Sequence, residues 1–180
     1  MKRFAASTAL VLAVDQFTKW VATQYLVPDD APPRTVRLIG DLVRFAYVRN
    51  AGGIFGVLQG SRAFFILLSL VSIGAIVALA LTRRFALPGG RIAFGVVLGG
   101  ALGNLVDRLS HRFVIDFIDI GIGNARWPTF NVADIGVTLG VIYLAIRLSM
   151  PSDRETRAQE ASGEGCGQGP PAQPASGEDG

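Results

Sequence analysis

Five aspartates, Asp15, Asp107, Asp116, Asp119 and Asp134, lie inside or beside hydrophobic segments of a chain that has no glutamate before Glu155. A charge at the centre of a bilayer costs about 2.5–3.5 kcal/mol on insertion scales, so such groups face protein or water and mark function. The pattern restricts the chain to folds that bury carboxylates among apolar helices, and it points to chemistry inside a membrane.

The rest of the composition agrees. Half of the 180 residues are hydrophobic and only 17% are charged, where a soluble domain carries about 25%. The formal charge of +3 does not indicate nucleic acid, because the basic residues are spread over many short connections. The one cysteine, Cys166, excludes an intramolecular disulfide and a cysteine-rich metal site.

Four segments read as membrane spans. Ala63–Leu81 is free of charge and close to the ~20 residues that cross the hydrocarbon core as a helix. Phe4–Ala22 is interrupted by Asp15 and Lys19, Ile92–Leu109 by Asp107 and Arg108, and Val132–Met150 by Asp134 and Arg147. Lys2 and Arg3 before an apolar run imitate a secretory signal peptide, but Asp15 cuts that run short and no small-x-small site is evident around Ala22. An uncleaved first helix is the expectation. Basic residues crowd the short Arg83–Arg91 connection and both termini, which favours that side as cytoplasmic. All five acids then gather towards the outer face.

Between the first two spans, Thr35–Ile39 and Leu42–Val48 alternate, with Val36 and Leu38 on one face and Val43, Phe45 and Tyr47 on another. Gly40-Asp41 between them suits a two-residue hairpin turn. The expected architecture is an all-α integral membrane protein of four transmembrane helices with a small outer-face β-element over about residues 35–48. Residues 1–150 form the membrane domain. Residues 151–180 are rich in Gly, Pro, Ser, Gln and Glu and read as a disordered tail.

Each polar motif has a structural and a chemical reading. Gly95, Gly99 and Gly103 recur every four residues, a bare face that a neighbouring helix can approach. Asp107 follows one turn later and could be a structural pair with Arg108 or another cation. Asp15-Gln16-Phe17-Thr18-Lys19 reads as a polar tie between the first helix and its neighbours. Asn50-Ala51-Gly52-Gly53-Ile54-Phe55-Gly56 suits either a plain turn or close backbone approach to a ligand, with the Asn50 amide orienting an extended peptide. Asp134 could serve the dipole at a helix start, but Asn131 is the better cap and leaves Asp134 inside the helix. Two carboxylates in a poorly solvated site cannot readily both ionise, and one shared proton supplies a general acid and a general base together.

Four blocks accumulate in order: Asp15-Gln16-x-Thr18-Lys19; Asn50-x-Gly52-x-x-Phe55-Gly56; Gly99-Gly100-Ala101-x-Gly103-Asn104-x-x-Asp107-Arg108 with Asp116-Phe117; and Phe130-Asn131-x-Ala133-Asp134. Together they resemble the lipoprotein signal peptidase family, the bacterial signal peptidase II enzymes, over about residues 5–150. One departure is visible, since the family usually has two alanines where this chain has Gly53 and Ile54. The resemblance implies an inner-membrane aspartyl endopeptidase with an outer β-cradle and both termini cytoplasmic. Its active site is near the periplasmic face. It cuts prolipoproteins immediately before a cysteine bearing diacylglyceryl. It further implies Asp116 and Asp134 as the catalytic pair, with Asp15, Lys19, Asn50, Gly52, Gly103, Asn104, Asp107, Arg108, Asn131 and Ala133 supporting it or the substrate. Membrane lipid, diacylglyceryl-modified prolipoproteins and globomycin-type cyclic peptide inhibitors are the implied partners, and no cofactor is implied.

Other classes fit less well. A serine-lysine peptidase would pair Lys19 with Ser61 or Ser110, and nothing in the spacing supports it. A carboxylate relay for ions or protons needs ionisable groups through the midplane, which the uncharged Ala63–Leu81 does not supply. Metal-dependent hydrolysis lacks ligands, since His111 is the one histidine.

Overall fold

A computed structural model describes residues 1–29, 32–52, 62–81 and 88–149. The expected tail, Ser61 and the end of the Asn50–Gly56 motif, with Gly53 and Ile54, lie outside the described residues. Among the described residues run, in order, α1 (Lys2–Leu26), β1 (Thr35–Ile39), β2 (Val43–Asn50), α2 (Arg62–Ala80), α3 (Gly90–Ser110), β3 (Val114–Ile122), β4 (Ala125–Arg126) and α4 (Val132–Ser149). The helix positions follow the apolar runs of the sequence to within a few residues.

Among the described residues, α2, α3 and α4 are long and apolar enough to cross a membrane. The sequence reading counted α1 as a fourth span. It has the length, at 25 residues, but Asp15, Gln16, Lys19 and several hydroxyl side chains dilute its apolarity. α3 is the central helix, with 56% of its apolar window buried inside the protein against 6% for α2. Leu67, Leu68, Leu70 and Val71 of α2 are exposed. That is the surface expected of a helix facing hydrocarbon rather than water.

The glycine stripe of α3 packs on α1. A Cβ at Gly99 would come within 2.7 Å of the Thr8 carbonyl oxygen, and one at Gly103 would strike the Asp15 carboxylate. Small residues allow this backbone approach, which is how helices associate without a hydrophobic drive between them. Ala80, Ala93, Phe94, Val97 and Leu144, with Phe4, Ile76 and Val137 against them, join all four helices in one cluster.

The β-element is larger than the sequence reading expected. The strands form one antiparallel sheet in the order β1-β2-β3-β4, so the link between α3 and α4 is a strand and not a loop. Asp116 and Asp119 both lie on β3. Ile39 pairs with Val43, so the hairpin turn is the three residues Gly40, Asp41 and Leu42 rather than two, with Gly40 at φ +52°. β2 continues to Asn50, which pairs with Val114. Phe45 and Tyr47, read as one face, do pack inward, against Ala22, Leu26 and Phe117. That contact sets the sheet across the end of the bundle where α1 and α3 finish and α2 and α4 begin.

Candidate active site

The first half of the site is a buried ion cluster between α1 and α3. Lys19 Nζ lies 2.8 Å from Asp15 Oδ2, 2.8 Å from Asp107 Oδ2 and 3.1 Å from Asn104 Oδ1. Three ammonium protons thus meet three acceptors, which satisfies a lysine only 2% exposed. One cation between two carboxylates leaves negative charge over, and backbone and amide donors answer it. Ala133 N donates to Asp15 Oδ1 at 2.9 Å, Ile115 N to Asp107 Oδ2 at 3.0 Å, and Gln16 Nε2 to Asp107 Oδ1 at 3.1 Å. These bonds tie α1 to α3, to the start of α4 and to the sheet.

The cation beside Asp107 is therefore Lys19 of another helix rather than the neighbouring Arg108. Arg108 Nη1 donates to Ser69 Oγ on α2 at 3.2 Å and to the Asn104 carbonyl at 3.3 Å. Its charge is felt by Asp134, Asp116 and Asp107.

The second half is the pair Asp116 and Asp134. Asn131 touches both. Its Nδ2 donates to Asp116 Oδ1 at 2.7 Å, and its backbone N donates to Asp134 Oδ2 at 3.2 Å. Asp134 N donates back to Asn131 Oδ1 at 3.1 Å, the reciprocal pattern of a capping box that starts α4. Asp134 thus does carry a capping bond, through one oxygen. Its other oxygen accepts from Asn104 Nδ2 at 2.8 Å. Asn50 Nδ2 closes the far side, donating to Asp116 Oδ2 at 2.8 Å, while Asn50 Oδ1 accepts from Gly52 N. The Asn50 amide thus bonds both the acid and its own turn. Gly52 has φ +88°, a conformation that favours glycine.

Asp116 is buried at 2% exposure, while Asp134 is half-buried and Asn50 is exposed. Burial drives the Asp116 carboxyl up to about 6 from its ordinary 3.8, and the charge of Asp134 pushes in the same direction. The amides of Asn50 and Asn131 and the Lys19 cation oppose this without cancelling it. A carboxyl with its pKa raised into this range, beside a second half-exposed acid, is suited to holding and exchanging a proton. Trp127, Phe130, Ile135, Thr138 and Leu139 line an apolar groove of 300 Å³ that reaches Asp134. A larger apolar cavity of 390 Å³ lies between α1 and the sheet, lined by Phe17, Tyr25, Leu26, Phe45 and Phe117 and by neither acid of the pair.

Asp119 stands apart. Its carboxylate accepts from Arg126 Nε and from Arg44 Nη2, the latter at 2.8 Å. Burial raises its pKa, but these two arginines outweigh it and hold the group below the usual range. Among the described residues no group of three or more His, Cys, Asp or Glu side chains could hold a metal ion.

The twelve residues that the resemblance implied fall in or beside these two clusters. Gly103 makes room for the Asp15 carboxylate, and Ala133, fully buried, supplies the N–H that Asp15 accepts. Two residues outside those twelve also bond into the clusters: Gln16, visible as an amide beside Asp15, and Ser69, which lies in an apolar span that gave no reason to single it out.

Fold and site define a helical membrane protein that concentrates an acid pair and a buried ion cluster at the sheet end of its bundle. Comparisons identify which one. The family description "Signal peptidase (SPase) II" matches residues 7–150, and the chain belongs to that family of peptidases. It is 36% identical over 149 residues to the lipoprotein signal peptidase of Syntrophus aciditrophicus, covering 79% of this chain and 89% of the relative. It is 36% identical over 156 residues to that of Moorella thermoacetica, covering 86% and 97%. Two solved structures, each described as a bacterial membrane enzyme, match with TM-scores of 0.70 and 0.71 at 28% and 27% identity. They cover 82% and 84% of this chain, and 88% and 96% of their own.

Proposed function

We propose that this chain is an intramembrane aspartyl endopeptidase that removes the signal peptide from diacylglyceryl-modified prolipoproteins, cutting before the lipidated cysteine. Asp116 and Asp134 are its catalytic pair. The observation that carries this reading is the bridge of Asn131 between the two carboxylates, one buried with a raised pKa and one open to a groove. Asp134, ionised, takes a proton from water as the water oxygen attacks the scissile carbonyl. Asp116 gives its proton to the carbonyl oxygen. When the tetrahedral species collapses, that proton returns to Asp116 and the proton on Asp134 goes to the leaving amine.

Four helices span the bacterial inner membrane with both termini cytoplasmic, and the sheet and the acid pair lie near the periplasmic face. The exposed Trp127 near the groove suits that interface. Residues 1–150 are the peptidase unit. Globomycin-type cyclic peptides are its inhibitors.

Incubating the purified protein with matched lipidated and unlipidated prolipoprotein tests the reading. Cleavage before the cysteine of the lipidated form alone, insensitive to chelator, is expected. Equal cleavage of both forms would remove the lipid from the proposal, and loss of activity on chelation would remove the aspartyl mechanism.

A further inference from the structure

α2 is uncharged over Ala63–Ala80, yet two of its side chains reach the site. Ser69 Oγ donates its proton to the Phe65 carbonyl at 2.9 Å, one turn back. This turns the oxygen lone pairs outward, where one accepts from Arg108 Nη1 at 3.2 Å. The Arg108 guanidinium also stands over the Phe65 ring, 5.9 Å from its centroid, within the range of a cation–π contact. The same ring fills the space beside Gly52, where any Cβ would collide with it. Gly52 in turn fixes Asn50, whose amide holds Asp116. A continuous path therefore runs from Asp116 through Asn50, Gly52, Phe65 and Arg108 to Asn104 and Asp134.

We infer that Phe65 and Ser69 are positioning residues for the peptidase reaction, with α2 acting as a buttress that aims Arg108 at the acid pair and props the Asn50 turn against Asp116. The inference rests on the assignment of Asp116 and Asp134 as the catalytic pair. Neither α2 residue touches substrate. Both act through Arg108 and Gly52, so their loss displaces a charge and a turn without removing a reacting group. Arg108 lies within electrostatic reach of Asp134, Asp116 and Asp107. When it drifts away, the proton shared by the pair is held more tightly.

The test is steady-state cleavage of a lipidated prolipoprotein across pH by full-length protein in detergent or bilayer. Ser69→Ala is expected to lower kcat by about 10-fold, a scale set by small misplacements of catalytic geometry. KM should change little, and the alkaline limb of kcat should move to higher pH. Ser69→Thr, which keeps the hydroxyl, should restore both. Phe65→Leu keeps an apolar side chain but no ring face and should shift the limb in the same direction, so the inference stays testable if Ser69→Ala folds poorly. In an Arg108→Lys background, Ser69→Ala should add little further loss. A wild-type pH profile in both α2 variants, or full additivity with Arg108→Lys, would overturn the inference. An active Asp134→Asn control would instead overturn the assignment of the pair.

Discussion

Lys19 shows how costly an incomplete charge cluster would be in this protein. It is 2% exposed and sits between Asp15 and Asp107, themselves 0% and 1% exposed. Removing one partner of a buried ion pair costs about 3–5 kcal/mol, because the other charge is left without compensation. Lys19→Met is therefore expected to lose folded protein on extraction and to lower the thermal midpoint sharply, read by size-exclusion profile and thermal shift. Asn50→Ala should act differently, because its amide favours the ionised form of Asp116. Without it the Asp116 carboxyl rises further above about 6, and the alkaline limb of cleavage activity moves to higher pH than in the wild type. Stability follows the same sign. A carboxyl raised by folding adds stability below its ordinary value of 3.8, and that contribution is lost as pH rises through about 6. An Asn50→Ala profile that matched the wild type would detach the amide from the acid.

At the scale of elements, the ion network of the sheet and the glycine stripe of α3 do separate jobs. Asp119 accepts from Arg44 on β2 and Arg126 on β4, and Arg44 and Arg126 also reach Asp41 in the β1–β2 turn. Asp119→Asn should loosen the sheet and lower its stability, most visibly above pH 3.8, where the wild-type acid is charged. Cleavage by the folded fraction should remain within a few-fold of wild type, and a folded but dead variant would give Asp119 a chemical role. The helices were legible in the sequence because apolar runs of the right length announce themselves. β3 was not. Val114–Phe117 is buried at four consecutive positions, so the strand shows no alternation, and Asp116 and Asp119 gave it the look of a polar connection. The sequence left the partner of Asp107 open between Arg108 and another cation. Helix packing through Gly103 delivers Lys19 from α1, which adjacency in sequence could not specify. The residues that meet in the two clusters were named through the resemblance, and the bonds among them were not legible.

For the whole molecule, the helices serve to bring four distant segments to one end and hold them there. Asp15, Asn50, Asp116 and Asp134 come from α1, β2, β3 and α4, and α3 connects them through Gly103, Asn104 and Asp107. Deleting residues 153–180, a segment too poor in apolar residues to add to a core, should leave cleavage within a few-fold. The central claim is that Asp116 and Asp134 together perform the hydrolysis while Asp107 is structural. Its most direct test is the cleavage rate of a lipidated prolipoprotein by folded Asp116→Asn, Asp134→Asn, the double variant and Asp107→Asn. Each single dyad variant should lose about 10³-fold or more, and the double should be no worse than either, since members of one catalytic unit are not additive. Asp107→Asn should lose activity only in proportion to lost folded protein. Substantial turnover by Asp116→Asn beside a stably folded but inactive Asp107→Asn would contradict the account and assign the chemistry to Asp107 and Asp134.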